Sequence, residues 1–207
     1  MKVYALIILL LIAGNISFGN TILQCDELGK DTLSGPSSTF KKMKPVIIPT
    51  ILMTQGLICM NNKRSDQMNQ SIKSFVLPKN NTKYTIDDYT QYMPTAAFLS
   101  LDYLGIESKH NMKQKLYAGA ISHIVMAATV NLMKSQIHIL RPDNSADNSF
   151  PSGHTATAFV GAELLWQEYH HQSIWYGIAG YTVASATGFF RMYNNRHWFS
   201  DITMGPV

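Results

Sequence analysis

The chain has 207 residues, of which 46% are hydrophobic and only 14% are charged, and its formal net charge is +4. A typical soluble protein carries roughly 25% charged residues, so part of this surface is expected to be uncharged or to contact an apolar phase such as lipid. The basic residues are scattered and form no cluster with aromatics, so no nucleic-acid partner is expected. The length suits one domain with a substantial core.

The N-terminus has the pattern of an export signal. A basic start precedes a short apolar run over residues 3–13, and small residues follow it up to Gly19. We expect residues 1–19 to be a signal peptide. The alternative is an N-terminal membrane anchor, for which the run is shorter than the ~20 residues that span a bilayer. Residues 20–40 are polar and are expected to form a flexible lead-in.

Export would permit a disulfide between Cys25 and Cys59, the only two cysteines of the chain. Two unrelated thiols, with Cys59 buried among apolar neighbours, fit the sequence equally well.

The rest of the chain, residues 41–207, is expected to form one helical domain. Residues 45–60 predict a first helix and the polar residues 61–83 an exposed connection. Further helices are predicted over 96–104 (closed by Gly105), 115–139, 153–168 and 174–190, and a last helix is expected to begin near His197 after a turn at Asn194-Asn195. Strand signals are weak, so the predicted fold class is an all-α bundle. The apolar runs at 45–60, 116–133 and 174–190 are borderline in length for crossing a bilayer.

The first of three short clusters with phosphate chemistry contains Lys134 and Arg141, followed by Pro142. An arginine presents a planar fork to phosphate oxygens and a lysine adds a point charge. The seven-residue spacing predicts that the two cations share one helical face, with Pro142 ending the helix. The alternative is a solvated cationic helix end.

The second cluster is Pro-Ser-Gly-His, ending at His154. Ser152 is a credible N-cap, Gly153 lets the backbone approach a ligand, and the free amides of a helix start bind anions. The imidazole of His154 could protonate a leaving alcohol. The alternative is an ordinary capped helix that carries an incidental histidine.

The third cluster contains Arg191, His197 and Asp201. On a helix, residues four apart face the same way, so the carboxylate could fix the imidazole tautomer and leave one nitrogen as nucleophile or base. The alternatives are a surface pair or half of a metal site. A metal is disfavoured because no further ligand stands at a suitable spacing.

Together, Lys-x6-Arg-Pro, Pro-Ser-Gly-His and Arg-x5-His-x3-Asp resemble, in order and spacing, the signature of the type 2 phosphatidic acid phosphatase superfamily. This superfamily also includes bacterial acid phosphatases and vanadium haloperoxidases. The motifs cover a core of residues 134–201, and the helical pattern extends the similarity back to about residue 87. The resemblance places the chain in the bacterial phosphatase branch.

The resemblance implies a role for each matching residue. His197 would be the nucleophile that forms a phosphohistidine, oriented by Asp201, and His154 the general acid and then base. The phosphoryl group would be bound by Lys134, Arg141, Ser152, the amide of Gly153 and Arg191. No metal or other cofactor is implied. The chain departs from the family in having Phe190 where a serine is usual, and its final helix is expected to be truncated.

The function predicted from the sequence is therefore a metal-independent phosphatase that is exported to the periplasm and associates with the membrane. Its phosphomonoester or pyrophosphate substrate is expected to be lipid-linked, such as phosphatidate, a polyprenyl pyrophosphate or lipid A. The alternatives are a soluble non-specific acid phosphatase, a vanadate-dependent haloperoxidase and an inactive truncated homologue.

Overall fold

The computed structural model of the chain describes residues 63–77 and 83–205. The predicted signal peptide, the lead-in, the helix at 45–60 and both cysteines lie outside the described residues.

The described part of the chain contains seven α-helices and one 3₁₀ turn. They are α1 (Lys63–Val76), α2 (Ile86–Thr90), α3 (Met93–Ser100) with the 3₁₀ turn Leu101–Leu104, α4 (Met112–Gln136), α5 (Gly153–Tyr169), α6 (Ile174–Tyr193) and α7 (Phe199–Thr203). The described ranges hold no strand, only an isolated bridge between Ile139 and Asn148. The predicted all-α fold class is confirmed.

Helix α5 lies at the centre and packs against α3, α4 and α6. Small side chains allow this: Ala158, Ala162 and Ala184 are fully buried where α5 crosses α6. At Gly161 a Cβ would lie 2.8 Å from the backbone nitrogen of Thr95, so only glycine lets α3 approach this closely. The close crossings hold the N-terminal end of α5 in a fixed position.

The longest helix, α4, is displaced from its predicted bounds of 115–139. It begins earlier because Asn111 and Gln114 form a capping box, in which each side chain accepts a hydrogen bond from the backbone of the other. It ends at Gln136 because Ile137 is extended. The prediction that Lys134 and Arg141 share a helical face is therefore wrong, since Arg141 lies in the loop that follows.

The prediction of an exposed connection over 61–83 is also wrong, because residues 63–76 form α1. This helix is held by polar contacts rather than by an apolar stripe. The Asn69 amide donates to Ser200 Oγ (3.1 Å) and accepts from the Ser200 backbone N–H (3.2 Å). Lys73 Nζ donates to the carbonyl of Pro142 (2.8 Å). Helix α1 thus braces the residue that follows the first cluster and a residue within the third cluster.

Helix α4 exposes much of its apolar surface. Among the described helices it alone is long and apolar enough to cross a membrane, and only 11% of its most apolar stretch of 18 residues is buried. The exposed apolar side chains on it are those of Leu116, Tyr117, Ile121, Ile124, Val125 and Leu132. This helix contains the predicted run 116–133. The run at 174–190 falls within α6, which does not meet the same criteria.

Candidate active site

The three predicted clusters meet at one end of the bundle, around the N-terminus of α5. The backbone N–H of Ser152 donates to the carbonyl of Asp201 (3.1 Å), which joins the second cluster to the third. Lys134 Nζ, in the last turn of α4, donates to the carbonyl of Asn148 (2.6 Å), in the loop that leads to the second cluster. The structure therefore brings together segments that lie as far apart as Lys134 and Asp201.

The predicted N-cap of α5 is present. The Ser152 hydroxyl is fully buried and accepts from the Thr155 hydroxyl at 2.9 Å and the Thr155 N–H at 3.5 Å. At the next position, a Cβ on Gly153 would meet only Val130 Cγ1, at an ordinary 3.8 Å. Packing within the protein therefore does not require glycine at 153. Its predicted role in letting a ligand approach the backbone is consistent with that open space.

His197 and Asp201 lie next to each other, but not for the predicted reason. Helix α7 begins at Phe199, so His197 lies in the preceding loop. Asp201 reaches back from the first turn of α7 and accepts from the backbone N–H of Trp198 at 2.8 Å. It also accepts a short hydrogen bond from the Ser149 hydroxyl. Asp201 thus ties the loop of His197 to the loop before α5.

The ring of His197 faces this anchored carboxylate, with 3.5 Å between His197 Nδ1 and Asp201 Oδ2. That distance is at the limit of a hydrogen bond, and His197 Nδ1 is buried without a partner among the described residues. Burial is the largest influence on this ring and lowers its pKa; Asp201 raises it, and Arg191 and Lys134 lower it further. The neutral imidazole is therefore favoured, with Nε2 as the nitrogen that does not face Asp201.

The predicted cations lie around the same site: the charges of Arg191 and Lys134 act on the His197 ring, and Arg141 lies within reach of the charges of Arg191 and Asp201. Burial and the charges of Arg191 and Arg196 lower the pKa of Arg141. The Nε atoms of Arg141 and Arg191 are both buried and donate to no acceptor in the described part of the chain. Buried donors normally have partners, so two unpaired guanidinium N–H groups among neighbouring cations fit an anionic ligand such as phosphate.

Two residues that the sequence analysis did not assign to the site, Asp87 and Asp88, reach it from α2. Asp87 is buried and accepts from Arg191 Nη1 (2.7 Å) and from the Asn194 amide (2.8 Å). Asp88 accepts from His154 Nε2 (3.0 Å). No motif marks them, because two aspartates at a helix start are also an ordinary helix-start signal. Ser149, which donates a hydrogen bond to Asp201 from the loop before α5, was likewise not predicted.

The ligand atoms of Asp87, Asp88 and His154 lie within 4.8 Å of one another, as in a metal site. However, the Arg191 guanidinium donates to Asp87 and lies 3.7 Å from Asp88 Oδ1. Arg191 therefore already offsets part of the negative charge of the two carboxylates and occupies one oxygen of Asp87, and its own positive charge would repel a metal cation.

Comparisons with known proteins give matches to a family model, to a curated protein and to a solved structure. The family model described as the PAP2 superfamily matches residues 107–207. A lipid A 1-phosphatase of Porphyromonas gingivalis is 46% identical over 123 residues, which are 59% of this chain and 28% of that protein. The chain thus spans little more than a quarter of this curated relative.

A solved structure that is similar in part is a transmembrane PAP2-type phosphatidylglycerolphosphate phosphatase from Bacillus subtilis. It has 17% sequence identity and a TM-score of 0.49, over 79% of this chain and 89% of that one. The family resemblance predicted from the three motifs is confirmed by the family match and the curated relative. The individual roles of the site residues stay predictions.

Proposed function

We propose that this protein, whose residues 107–207 belong to the PAP2 superfamily, is a phosphatase that hydrolyses a lipid-linked phosphate ester or pyrophosphate through a phosphohistidine intermediate. One observation carries the proposal. Buried, unpaired guanidinium N–H groups of Arg141 and Arg191 occur in the same cluster of segments as buried His197, whose lowered pKa favours the neutral, nucleophilic form.

In the first step, His197 Nε2 attacks phosphorus, an N–P bond forms and the P–O bond to the leaving alcohol breaks. His154 gives its proton to the departing oxygen. In the second step His154 takes a proton from water, the water oxygen bonds to phosphorus and the N–P bond breaks. Lys134, Arg141 and Arg191 hold the phosphoryl oxygens throughout. Phosphoryl transfer depends mainly on such positioning and charge stabilisation.

The exposed apolar surface of α4 supports a lipid-linked substrate. This helix has 25 residues and is therefore about 37 Å long. The hydrocarbon core of a bilayer is about 30 Å thick, so α4 could cross it and place Lys134, in its last turn, at the membrane surface. A phosphate headgroup lies at that depth. The relative from P. gingivalis acts on lipid A, which favours a glycolipid phosphate among the lipid-linked substrates.

The N-terminal pattern supports a phosphate site that lies outside the cytoplasm. A basic start followed by the apolar run 3–13 is typical of exported proteins. We therefore place the phosphate site on the periplasmic face.

The experiment compares substrates with the purified full chain in mixed micelles. We expect phosphate release from lipid A 1-phosphate or phosphatidate, with a higher kcat/KM than for p-nitrophenyl phosphate. The His197→Ala variant should release none. Activity confined to small soluble esters, with the protein in the aqueous phase after detergent partition, would instead identify a soluble acid phosphatase. No turnover of any phosphate ester by the wild type would overturn the proposal.

A further inference from the structure

We infer that Asp88 is the positioning residue of His154: it holds the ring through Nε2, so that Nδ1 exchanges the proton with the leaving group and then with water. The inference rests on the proposed function, since it assigns a partner to the general acid of that reaction. The hydrogen bond between His154 Nε2 and Asp88 Oδ1 measures 3.0 Å. A carboxylate that accepts from one imidazole nitrogen fixes which nitrogen is left for chemistry.

Helix α2 is held firmly enough for this task, because three side-chain contacts tie it to α6. Buried Asp87, next to Asp88, accepts from Arg191 and Asn194. Thr90, on the same short helix, shares a hydrogen bond with Thr187 (2.9 Å). Asp88 thus projects from a backbone that is fixed on both sides, although its own side chain is half exposed.

The segment before α2 is tied down in the same way. The Asn194 side-chain amide donates through Nδ2 to the backbone carbonyl of Tyr84 (2.6 Å), and its Oδ1 accepts from the Tyr84 backbone N–H (2.9 Å). Asn194 therefore connects the end of α6 to the residues that precede α2. The third cluster and Asp88 are parts of one hydrogen-bonded unit.

The charged groups that act on the His154 ring come from two helices. Burial is the largest influence and, with Arg191 from α6, disfavours the protonated ring; Asp88 and Asp87, from α2, favour it, and the net effect lowers the pKa of His154. Removal of the Asp88 charge should lower this pKa further and make the acidic form of the ring scarcer. Geometry and charge therefore lead to the same expectation.

The His154–Asp88 pair is too exposed to contribute much to the stability of the fold. The side chains of His154 and Asp88 are 30% and 52% exposed. Ion pairs at such exposure contribute little to folding, because water screens them. A loss of function on removal of Asp88 can therefore be separated from a loss of structure.

The test is Asp88→Asn in the full chain, assayed by kcat/KM on two esters in the same micelles. Nitrophenolate leaves without a proton, whereas an alkyl alkoxide needs one from His154. We expect kcat/KM for an alkyl phosphate to fall at least about tenfold, and for p-nitrophenyl phosphate less than about threefold. The alkaline limb of the alkyl-ester pH profile should move to lower pH, and Asp88→Glu should recover part of the activity. Asp66→Asn, on the exposed side of α1, is the matched control.

Two results would overturn the inference while the proposed function stands. One is an equal loss on both esters with a lowered melting temperature, which indicates a structural role. The other is unchanged kinetics on both esters. If the wild type hydrolyses neither ester, the proposed function itself fails and the inference fails with it.

Discussion

The site contains two histidine–aspartate pairs that are built in opposite ways. The side chains of His197 and Asp201 are 2% and 0% exposed, whereas those of His154 and Asp88 are 30% and 52% exposed. The buried pair lies at 3.5 Å and the exposed pair at 3.0 Å. Only the exposed pair has the geometry of an ordinary hydrogen bond between ring and carboxylate.

This difference suits the two proposed tasks. A nucleophile benefits from burial, because desolvation favours the neutral ring and excludes water until the phosphoryl group is attached. A group that exchanges protons with a leaving alcohol and then with water must stay accessible. Asp201 is also part of the fold, since it holds Ser149 and Trp198, whereas Asp88 contacts the ring and lies near Arg191. Removal of Asp88 should therefore affect activity without affecting stability, whereas removal of Asp201 should affect both.

The largest expected effect is on the nucleophile. His197→Ala should reduce phosphate release from p-nitrophenyl phosphate by at least about a thousandfold, because loss of a nucleophile removes the covalent route. His154→Ala should keep more of this activity, since nitrophenolate needs no proton. The measurement is kcat/KM for nitrophenolate release, which reports the first step and not the later attack of water. His170→Ala, an exposed ring at the end of α5, is the control and should behave as wild type.

Removal of the two aspartates should separate fold from function. Asp201→Ala leaves the buried Ser149 hydroxyl and the partly buried Trp198 N–H without an acceptor, which should lower the free energy of unfolding by about 2–4 kcal/mol. Asp88→Ala should lower it by less than about 0.5 kcal/mol. Urea unfolding of both variants in the same detergent checks this. Equal destabilisation would remove the contrast between the pairs.

Two glycines allow the same comparison between a structural position and a functional one. A Cβ at Gly205, after α7, would lie 2.8 Å from Thr155 Cβ and 3.2 Å from the Ala156 nitrogen. Gly205→Ala should therefore cost about 1–3 kcal/mol of stability. Gly153→Ala should leave the melting temperature unchanged but raise KM, because the added methyl group faces the space proposed for phosphate. A Gly153→Ala variant with unchanged KM would remove that role.

The smallest expected effect is a shift of the pH profile. Burial is the main cause that lowers the pKa of both His197 and His154 from the ordinary 6.5. The nucleophile must be neutral, so activity rises as pH increases through the pKa of His197. The acid must be protonated, so activity falls as pH increases through the pKa of His154. The optimum of kcat/KM should therefore lie below about pH 6.5. An optimum above pH 8 would contradict the lowered pKa values of the two histidines.

Much of the fold and of the site could be predicted because the signals are local. The cap at Ser152, the glycine that ends the 3₁₀ turn and the turn at Asn194-Asn195 all depend on the backbone preferences of one or two residues. Gly105 has φ of +82° and Asn195 φ of +59°. Glycine and asparagine adopt such conformations at low cost, so the residue type at these positions predicts the turns.

The features that were missed depend on contacts between distant segments. Helix α1 has few apolar positions and is held through Asn69 and Lys73 to Ser200, within the third cluster, and to Pro142, after the first. Asp88 lies 66 positions before His154, and nothing in its neighbourhood distinguishes it from an acidic helix start. The loop position of His197 was missed because the four-residue spacing to Asp201 is satisfied equally well by a helix and by an aspartate that reaches back from the first helical turn.

The central claim is that His197 carries the phosphoryl group, and trapping of that intermediate tests it most directly. Wild-type protein mixed with p-nitrophenyl phosphate labelled in the phosphate, whose leaving group needs no proton from His154, should be quenched in alkali within milliseconds and analysed for protein-bound label. We expect label that is stable in alkali and lost in acid, as for a phosphohistidine, with more of it in His154→Ala, where water activation is impaired. The label should be absent from His197→Ala. Turnover without any trapped label in either active protein, or label that persists in His197→Ala, would contradict the account.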